Sequence, residues 1–465
     1  MLAGQFVGKG SLFVSVMFLS RYLTGTDFGS FLLAIVLGQV YLFLSDMGIS
    51  LILNSRSSVR PADTQELLST SLTLKMTLSL SGLPLLMLAG FLMNFSSEKM
   101  LVLGIIGISV FFESFAEMFY SVFRARERMM YESNSRIAKG IIGLAAILLI
   151  IRLDRGLIAV AIAYAVRAVT ALVTAAAGLR LIGLSLLPSI DRTKLKELFI
   201  HALPLGIMGL VVVIHQKADN ILIRQLLGEN AVAAWQECLR IVELMLLAVV
   251  PTLLPGALFP SLCRAFREGG YQRQTGNMAR IFTGLAVLLF LAVLSTGEKF
   301  LKFIWGSEYL RGISSQDMQL SLYLCMTGLL AVYLMNILLA SLLAVNRIRI
   351  VVPVTIAAMI LVIGGNLLFM PVIGLPAAGI FFVASNLLIL VSYWVFLRWR
   401  GYYLPIWREA FISVLVSLPV FAVIPLIRRL PFFPALILPP LLFVPVWWFS
   451  GGRKAIQETF TRKPK

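Results

Sequence analysis

The chain has 465 residues, of which 59% are hydrophobic and only 13% are charged, and its formal net charge is +18. Soluble domains contain about 25% charged residues, so this composition excludes a soluble globular protein and predicts a polytopic membrane protein. The basic residues are scattered among short connections between apolar runs, as is typical of charge that orients membrane helices beside anionic lipid, and we expect no nucleic-acid partner.

About fourteen apolar runs are long enough to cross a bilayer, because a helix that spans about 30 Å needs around 20 residues. Their centres lie near residues 13, 40, 82, 111, 143, 167, 211, 245, 291, 331, 360, 387, 418 and 441. The first run begins without a basic segment or a cleavage site, so we expect it to stay in the mature protein. The predicted fold class is therefore all-α, a polytopic membrane protein with about fourteen transmembrane helices.

Sorting the 40 Lys and Arg residues by connection predicts the orientation, because cytoplasmic connections carry the excess of basic residues. With a cytoplasmic N-terminus, about 25 of them fall on the cytoplasmic side and about ten outside. Both termini are therefore predicted in the cytoplasm. The three cysteines, Cys238, Cys263 and Cys325, have no paired spacing, so we expect neither a disulfide nor a metal site.

A short internal repeat predicts the domain organisation. Arg21-Tyr-Leu-Thr-Gly25 follows the first predicted span, and Arg224-Gln-Leu-Leu-Gly228 follows the seventh, with Arg, Leu and Gly in register. Six spans separate the copies, and an even number preserves direction, so the repeats are expected to be parallel. We predict two six-helix lobes, residues 1–185 and 186–400, around a central cavity, with two further helices and a basic tail in residues 401–465.

Five basic side chains lie inside predicted spans, where a cation at the helix centre costs roughly 2.5 to 3.5 kcal/mol and persists where it faces protein or a water-filled cavity. They are Lys9, Lys75, Arg167, Lys217 and Arg240. We predict that they line the cavity together with Glu113 and Glu117, which share one face of the fourth span.

Several of these cations also have a structural interpretation. Lys9 and Lys75 lie close enough to a membrane surface to extend their ammonium groups to it. Arg167 has no acidic residue on its own span, but an ion pair with Glu113 or Glu117 would neutralise it. Sequence alone leaves these alternatives open.

The seventh span is the most polar stretch of predicted membrane in the chain. His215 and Asp219 share one of its faces, and a carboxylate near a histidine inside a membrane is a candidate proton or sodium site. Asn366 on the eleventh span could add a neutral oxygen ligand. A charge balance between Lys217 and Asp219 would explain the same residues. We expect no cofactor, and a proton or sodium gradient is the candidate energy source.

Arg240 on the eighth span shares a face with Gln236 and Glu243. Glu237 and Glu243 are each three residues from Arg240, so an internal salt bridge is the default interpretation, although Arg240 could still donate to a substrate. No nucleophile or metal ligand accompanies the paired carboxylates of the fourth span. We therefore interpret these carboxylates as part of a hydrophilic cavity wall or as a counter-ion for Arg167, and we predict no catalytic residue. The parallel repeat, an arrangement found in transporters, predicts a transporter rather than an enzyme.

Short motifs carry a resemblance to a known family. The opening segments Gly8-Lys-Gly10, Arg21-Tyr-Leu-Thr-Gly-Thr-Asp-Phe-Gly-Ser-Phe and Leu44-Ser-Asp46-Met-Gly48 resemble the start of the O-antigen and lipid-linked oligosaccharide flippases of the multidrug/oligosaccharidyl-lipid/polysaccharide exporter superfamily. The middle segments Leu203-Pro204-Leu-Gly206, Lys217-Ala-Asp219, Leu226-Leu-Gly228 and Phe259-Pro260 are similar to the second-half signature of that family. The chain departs from the pattern at Ala234-Trp235 and in its short N-terminus.

The resemblance implies that an undecaprenyl-diphosphate-linked oligosaccharide crosses a bacterial inner membrane by alternating access, for export of a surface polysaccharide. The implied partners are that lipid-linked glycan, membrane lipids, and a glycan polymerase or export machinery. The five basic side chains inside predicted spans agree with such a substrate, because a diphosphate with about two negative charges needs Lys or Arg partners. The alternatives are a multidrug cation antiporter of the same superfamily, expected to have twelve spans and an acidic cavity, and a membrane glycosyltransferase or polymerase, expected to have a large extramembrane loop.

Overall fold

The computed structural model describes residues 2–247, 259–306 and 310–460. Across these ranges the regular structure is helical, which confirms the all-α fold class. Twelve of the described helices are long and apolar enough to cross a membrane, by length and composition. The helices Leu2–Tyr22 and Glu229–Leu247 lie where the first and eighth spans are predicted, so each of the fourteen predicted centres falls in a helix.

The chain divides into two compact units, and the first comprises Met1–Arg224 with Gly228–Ala233. Its helices are α1 (Leu2–Tyr22), α2 (Gly25–Asp46), α3 (Ile49–Val59), α4 (Thr64–Leu92), α5 (Ser97–Ala125), α6 (Met129–Arg152), α7 (Gly156–Leu181) and α8 (Arg192–Leu227). Helix α5 packs against α2 and α7, while α6 packs against α1 and α7. These packings bring five of the helices, α1, α2, α5, α6 and α7, around one region of the unit.

The second unit comprises Gln225–Leu227 and Ala234–Lys465. Its helices are α9 (Glu229–Leu247, which begins in the first unit), α10 (Phe259–Glu268), α11 (Tyr271–Thr296), α12 (Glu298–Trp305), α13 (Ser315–Ala344), α14 (Val351–Ile373), α15 (Pro376–Trp399), α16 (Ile406–Ile427), α17 (Phe432–Trp447) and α18 (Arg453–Phe460). Helix α11 packs against α13, α16 and α17, and α15 packs against α13 and α14. Leu291, Val420 and Phe443 form a buried apolar cluster where α11, α16 and α17 meet.

The Arg-Tyr-Leu-Thr-Gly-Thr-Asp motif forms the connection from α1 to α2. Thr24 is the N-cap of α2, and its hydroxyl accepts from the Asp27 backbone N–H at 3.2 Å and donates to the Asp27 carboxylate at 2.7 Å. The first of these bonds satisfies one of the backbone donors that a helix start leaves unpaired. The motif therefore has a structural role at the start of α2.

The Leu-Ser-Asp-Met-Gly motif ends α2 with a sharp break. Met47 and Gly48 both adopt left-handed backbone angles, with φ of 39° and 83°, and α3 starts at the next residue. A Cβ on Gly48 would lie 2.7 Å from the Ala202 carbonyl oxygen, and a Cβ on Gly206 would lie 2.6 Å from the Met47 backbone. The break therefore packs directly on the Leu-Pro-Leu-Gly segment of α8.

Residues that closely follow the two copies of the internal repeat also contact each other inside the first unit. A Cβ on Gly29 would lie only 2.0 Å from the carbonyl oxygen of Glu229. The Glu229 carboxylate accepts from the Ser30 hydroxyl at 2.9 Å, forms an ion pair with Lys99, and lies 3.8 Å from the Arg224 guanidinium. Motifs that are far apart in sequence thus contact one another in space.

Candidate functional site

A charged cavity of about 230 Å³ lies within the first unit, where α1, α2, α5, α6 and α7 come together. It is lined by Gly4, Gln5, Gly8, Lys9, Leu12, Ile35, Gly38, Gln39, Leu42, Val110, Glu113, Glu117, Arg136, Lys139, Tyr164 and Arg167. Four of the predicted site residues, Lys9, Glu113, Glu117 and Arg167, are among them. The polar face that Gln5 and Lys9 share on α1 is therefore part of the cavity wall.

The cavity wall carries more positive than negative charge. Its four basic side chains are Lys9, Arg136, Lys139 and Arg167, and its two acidic side chains are Glu113 and Glu117. The lining thus has a formal surplus of two positive charges. Charged groups attract opposite charges more strongly inside a protein than in bulk water, so this surplus of positive charge favours an anionic ligand.

The two carboxylates of α5 that line the cavity form ion pairs with α6. Lys139 Nζ lies 2.5 Å from Glu113 Oε1, and Arg136 Nη2 lies 2.9 Å from Glu117 Oε2. Arg136 also donates from Nε to Glu132 at 3.0 Å, one turn earlier on its own helix. The carboxylates that could have neutralised Arg167 therefore have closer partners.

Arg167 is buried, with 7% of its surface exposed. Gly143 on α6 makes room for it, because a Cβ there would lie 2.9 Å from the Arg167 side chain. The guanidinium carbon lies 5.2 Å from the centre of the Tyr164 ring, within the range of a cation–π contact. Among the described residues, no carboxylate oxygen lies within 4.0 Å of its nitrogens, and Nε has no hydrogen-bond partner.

Lys75 lies outside the residues that line this cavity. Its side chain is 1% exposed and forms an ion pair with Asp46 at the end of α2, and Asp46 also accepts from the Ser50 hydroxyl. Lys75 thus does not extend to a surface. It holds the end of α2 beside α4.

The polar residues of α8 lie in a separate part of the first unit. Asp219 is 7% exposed and accepts from both the backbone N–H and the side-chain amide of Asn220, at 2.8 and 2.7 Å. His215 Nε2 is buried without a hydrogen-bond partner within the described part of the chain. Lys217 is half-buried. These side chains do not line the charged cavity.

The two remaining predicted residues belong to the second unit. Arg240 donates to Glu243 at 2.8 Å, so the internal salt bridge is present. Glu237 instead pairs with Arg311 at 3.0 Å, and both of these side chains are almost fully buried. Asn366 is fully buried, and neither polar atom of its amide has a partner among the described residues.

Sequence reasoning missed Arg136 and Lys139. The basic residues around Arg128 predict a cytoplasmic connection. Helix α6 already begins at Met129, however, so Arg136 and Lys139 lie inside the helix. Their spacing held a signal. Glu132, Arg136 and Lys139 follow one another at four and three residues, so they share one face of a helix.

Comparison with known families identifies the chain. The sequence model of a family described as "Polysaccharide biosynthesis protein" matches residues 1–266, more than half of the chain. The chain belongs to the polysaccharide biosynthesis protein family. The match covers all the residues that line the charged cavity and the motifs from Gly8 to Pro260. Comparison with curated proteins gives no match.

Solved structures similar to this chain include a flippase and transporters. One is the lipid II flippase MurJ in an inward closed conformation, with a TM-score of 0.76, 12% identity, and coverage of 99% of this chain and 98% of that one. Another is an inward-facing multidrug resistance MATE family transporter of the MOP superfamily, with a TM-score of 0.68, 15% identity, and coverage of 85% and 94%. At these identities the likeness establishes the fold.

A third similar structure is a MOP superfamily transporter from Pyrococcus furiosus, with a TM-score of 0.61, 16% identity, and coverage of 86% of this chain and 94% of that one. Its title describes a binding pocket of reverse polarity. Family, fold and the twelve long apolar helices together make the present protein a multi-pass membrane protein.

Proposed function

We propose that this protein flips an undecaprenyl-diphosphate-linked oligosaccharide from the cytoplasmic to the outer leaflet of a bacterial inner membrane, by alternating access, for surface polysaccharide export. The observation that carries the proposal is the surplus of two positive charges in the cavity lining, with Arg167 buried there and no carboxylate within 4.0 Å among the described residues.

The chemistry of the substrate explains why such a cavity is needed. A lipid-linked glycan has an apolar tail that can remain in lipid and a diphosphate that must not enter hydrocarbon unneutralised. Charge-assisted hydrogen bonds from Arg and Lys to phosphate oxygens are roughly twice as strong as neutral ones. Arg167, Lys139 and Arg136 supply such donors at the cavity wall.

Charge also separates this proposal from the multidrug cation antiporter. A surplus of positive charge disfavours a cationic drug, since like charges brought together away from water repel strongly. The family description, a polysaccharide biosynthesis protein, points in the same direction. A glycosyltransferase or polymerase is less well supported, because the similar solved structures are a flippase and transporters.

Two further elements of the proposal concern energy and orientation. Transport is coupled to a proton or sodium gradient, with His215, Asp219 and Asn366 as candidate residues, supported by the burial of Asp219 and of both amide atoms of Asn366. Both termini face the cytoplasm, and residues 1–185 and 186–400 form the two repeated lobes. A glycan polymerase or export machinery is the proposed protein partner.

Deletion of the gene tests the proposal directly. We expect lipid-linked glycan to accumulate in the cytoplasmic leaflet and surface polysaccharide to be lost, both restored by the wild-type gene. Leaflet location is measured by susceptibility of the glycan to a membrane-impermeant glycosidase in inverted and right-side-out vesicles. Normal export with no accumulation, in a strain without a redundant transporter, would overturn the proposed function.

A further inference from the structure

We infer that Glu113 is an internal counter-anion that competes with the substrate diphosphate for Lys139, and so limits how tightly the cavity holds its substrate. The inference rests on the proposed function and adds a positioning role for one residue to it. Glu113 carries the same sign of charge as the proposed ligand of the cavity. Charge complementarity with the substrate therefore does not explain why a carboxylate lies there.

The two acidic residues of the cavity are not equivalent. Glu113 pairs with Lys139 at 2.5 Å, and the two side chains are 15% and 5% exposed. No other carboxylate in the described part of the chain lies within 4.0 Å of Lys139. Lys139 therefore depends on Glu113, or on a bound anion in its place.

Arg136 has a second partner that Lys139 lacks. It pairs with Glu117 at 2.9 Å and with Glu132 at 3.0 Å, and the Glu132 side chain is only 1% exposed. A planar guanidinium can hold two carboxylates at once, whereas an ammonium is a compact point charge. Removal of Glu117 would thus leave Arg136 neutralised, whereas removal of Glu113 would leave Lys139 without a carboxylate.

Glu113 has three cations as neighbours, Lys139 and Arg136 on α6 and Arg167 on α7. Tyr164 on α7, Lys9 on α1 and Glu117, one turn away on α5, line the same cavity. A diphosphate that binds Arg167 would have Lys139 as a neighbouring cation, and its phosphate oxygens would displace the Glu113 carboxylate. Substrate binding is then an exchange of one anion for another.

An exchange of this kind suits a transporter, because the substrate must leave as well as bind. Glu113 returns to Lys139 when the diphosphate departs, so no buried ammonium is left uncompensated. Without Glu113, the diphosphate would be the sole anionic partner of Lys139. The inference therefore predicts tighter binding and slower release when Glu113 is neutralised.

The test measures binding of inorganic pyrophosphate to the purified full-length protein by isothermal titration calorimetry. We expect Glu113→Gln to bind pyrophosphate about tenfold tighter than wild type, which corresponds to about 1.4 kcal/mol. Glu117→Gln, the same substitution one turn away, should tighten binding by about twofold or less, since Arg136 keeps Glu132. Lipid-linked glycan export in cells should fall in Glu113→Gln despite the tighter binding.

Two further variants locate the effect. Glu98→Gln removes an exposed carboxylate at the start of α5, outside the cavity, and should bind pyrophosphate as wild type does, although it changes the net charge equally. Arg167→Ala should weaken binding, which assigns the measured affinity to the cavity. If Glu113→Gln is not monodisperse, Glu113→Asp and Glu117→Asp are compared instead, and Glu113→Asp is expected to bind more tightly.

The outcomes separate this inference from the proposed function. Wild-type protein that binds pyrophosphate, with equal affinities in the Glu113 and Glu117 variants, overturns the role of Glu113 and leaves the flippase proposal intact. If the wild-type protein binds no pyrophosphate, or if Arg167→Ala leaves the binding unchanged, the cavity is not the anion-binding site on which both the inference and the proposed function depend.

Discussion

At the scale of single residues, a cation inside a membrane protein is explained only when its neighbours are known. Lys75 and Arg167 both interrupt apolar runs, yet one is paired with Asp46 and the other has no carboxylate within 4.0 Å among the described residues. A paired cation contributes mainly to the fold. An unpaired one that faces a cavity retains donors for a ligand.

Replacement of Arg167 by alanine should abolish export while the protein still inserts. In the substrate complex, Arg167 and the diphosphate would form a buried, charged hydrogen-bonded pair. Truncating one partner of such a pair costs about 2 to 5 kcal/mol, enough to reduce transport at least tenfold. Arg167→Lys keeps the charge but loses the planar fork, so we expect partial activity. Surface polysaccharide is measured in the deletion strain, with membrane abundance by immunoblot. Normal export by Arg167→Ala at equal abundance would show that Arg167 does not bind the substrate.

Lys75→Met should destabilise the protein by about 3 kcal/mol, because it leaves Asp46 without its cation. The lower end of the usual range applies, since the Asp46 side chain is 24% exposed. The double variant Lys75→Met, Asp46→Asn should recover both stability and export. Thermal unfolding in detergent gives the first, and complementation of the deletion gives the second. A stable double variant that does not export would instead assign Lys75 to substrate binding.

At the scale of helices, the motifs that carry the family resemblance are contact points. The Asp46-Met-Gly48 break packs on α8 near Gly206, and Gly29 packs on Glu229. Each site brings backbones together more closely than a side chain would allow. This explains why small residues stand there, a constraint that no helix propensity predicts.

Gly29→Ala should destabilise the first unit, because its Cβ would lie 2.0 Å from the Glu229 carbonyl oxygen and the backbone must move. Overpacking of this kind typically costs about 1 to 3 kcal/mol. Gly10→Ala on α1 is the matched control, since nothing lies within 4 Å of its Cβ position, and it should be neutral or stabilising by about 0.5 to 1 kcal/mol. Melting temperatures in detergent compare the two. Equal melting temperatures would contradict the close approach at Gly29.

At the scale of the whole molecule, the sequence was sufficient for the helices but not for the cavity. Each of the fourteen predicted centres lies in a helix, because the length of an apolar run is a local property. The pairing of Glu113 with Lys139 depends on how α5 packs against α6, which no local pattern encodes. The sequence does not identify Arg136 and Lys139 as cavity residues for that reason, although their spacing from Glu132 shows that the three residues share one helix face.

Orientation in the membrane is the remaining property of the whole molecule, and it rests on the distribution of Lys and Arg. If the N-terminus is cytoplasmic, the connection after α5 faces the cytoplasm and the connection between α4 and α5 faces outside. Glu127 and Ser97 are exposed side chains at these two places. They are suitable positions for labelling because neither side chain is buried in the fold.

In a variant without the three native cysteines, Ser97→Cys should react with a membrane-impermeant maleimide in intact spheroplasts. Glu127→Cys should react only after permeabilisation, because the excess of basic residues holds its connection on the cytoplasmic side. Gel shift of the labelled protein measures both reactions, and denatured protein gives the maximum for each. The reverse labelling pattern would show that the topology is inverted. The side of the membrane assigned to each end of the cavity helices would then be exchanged.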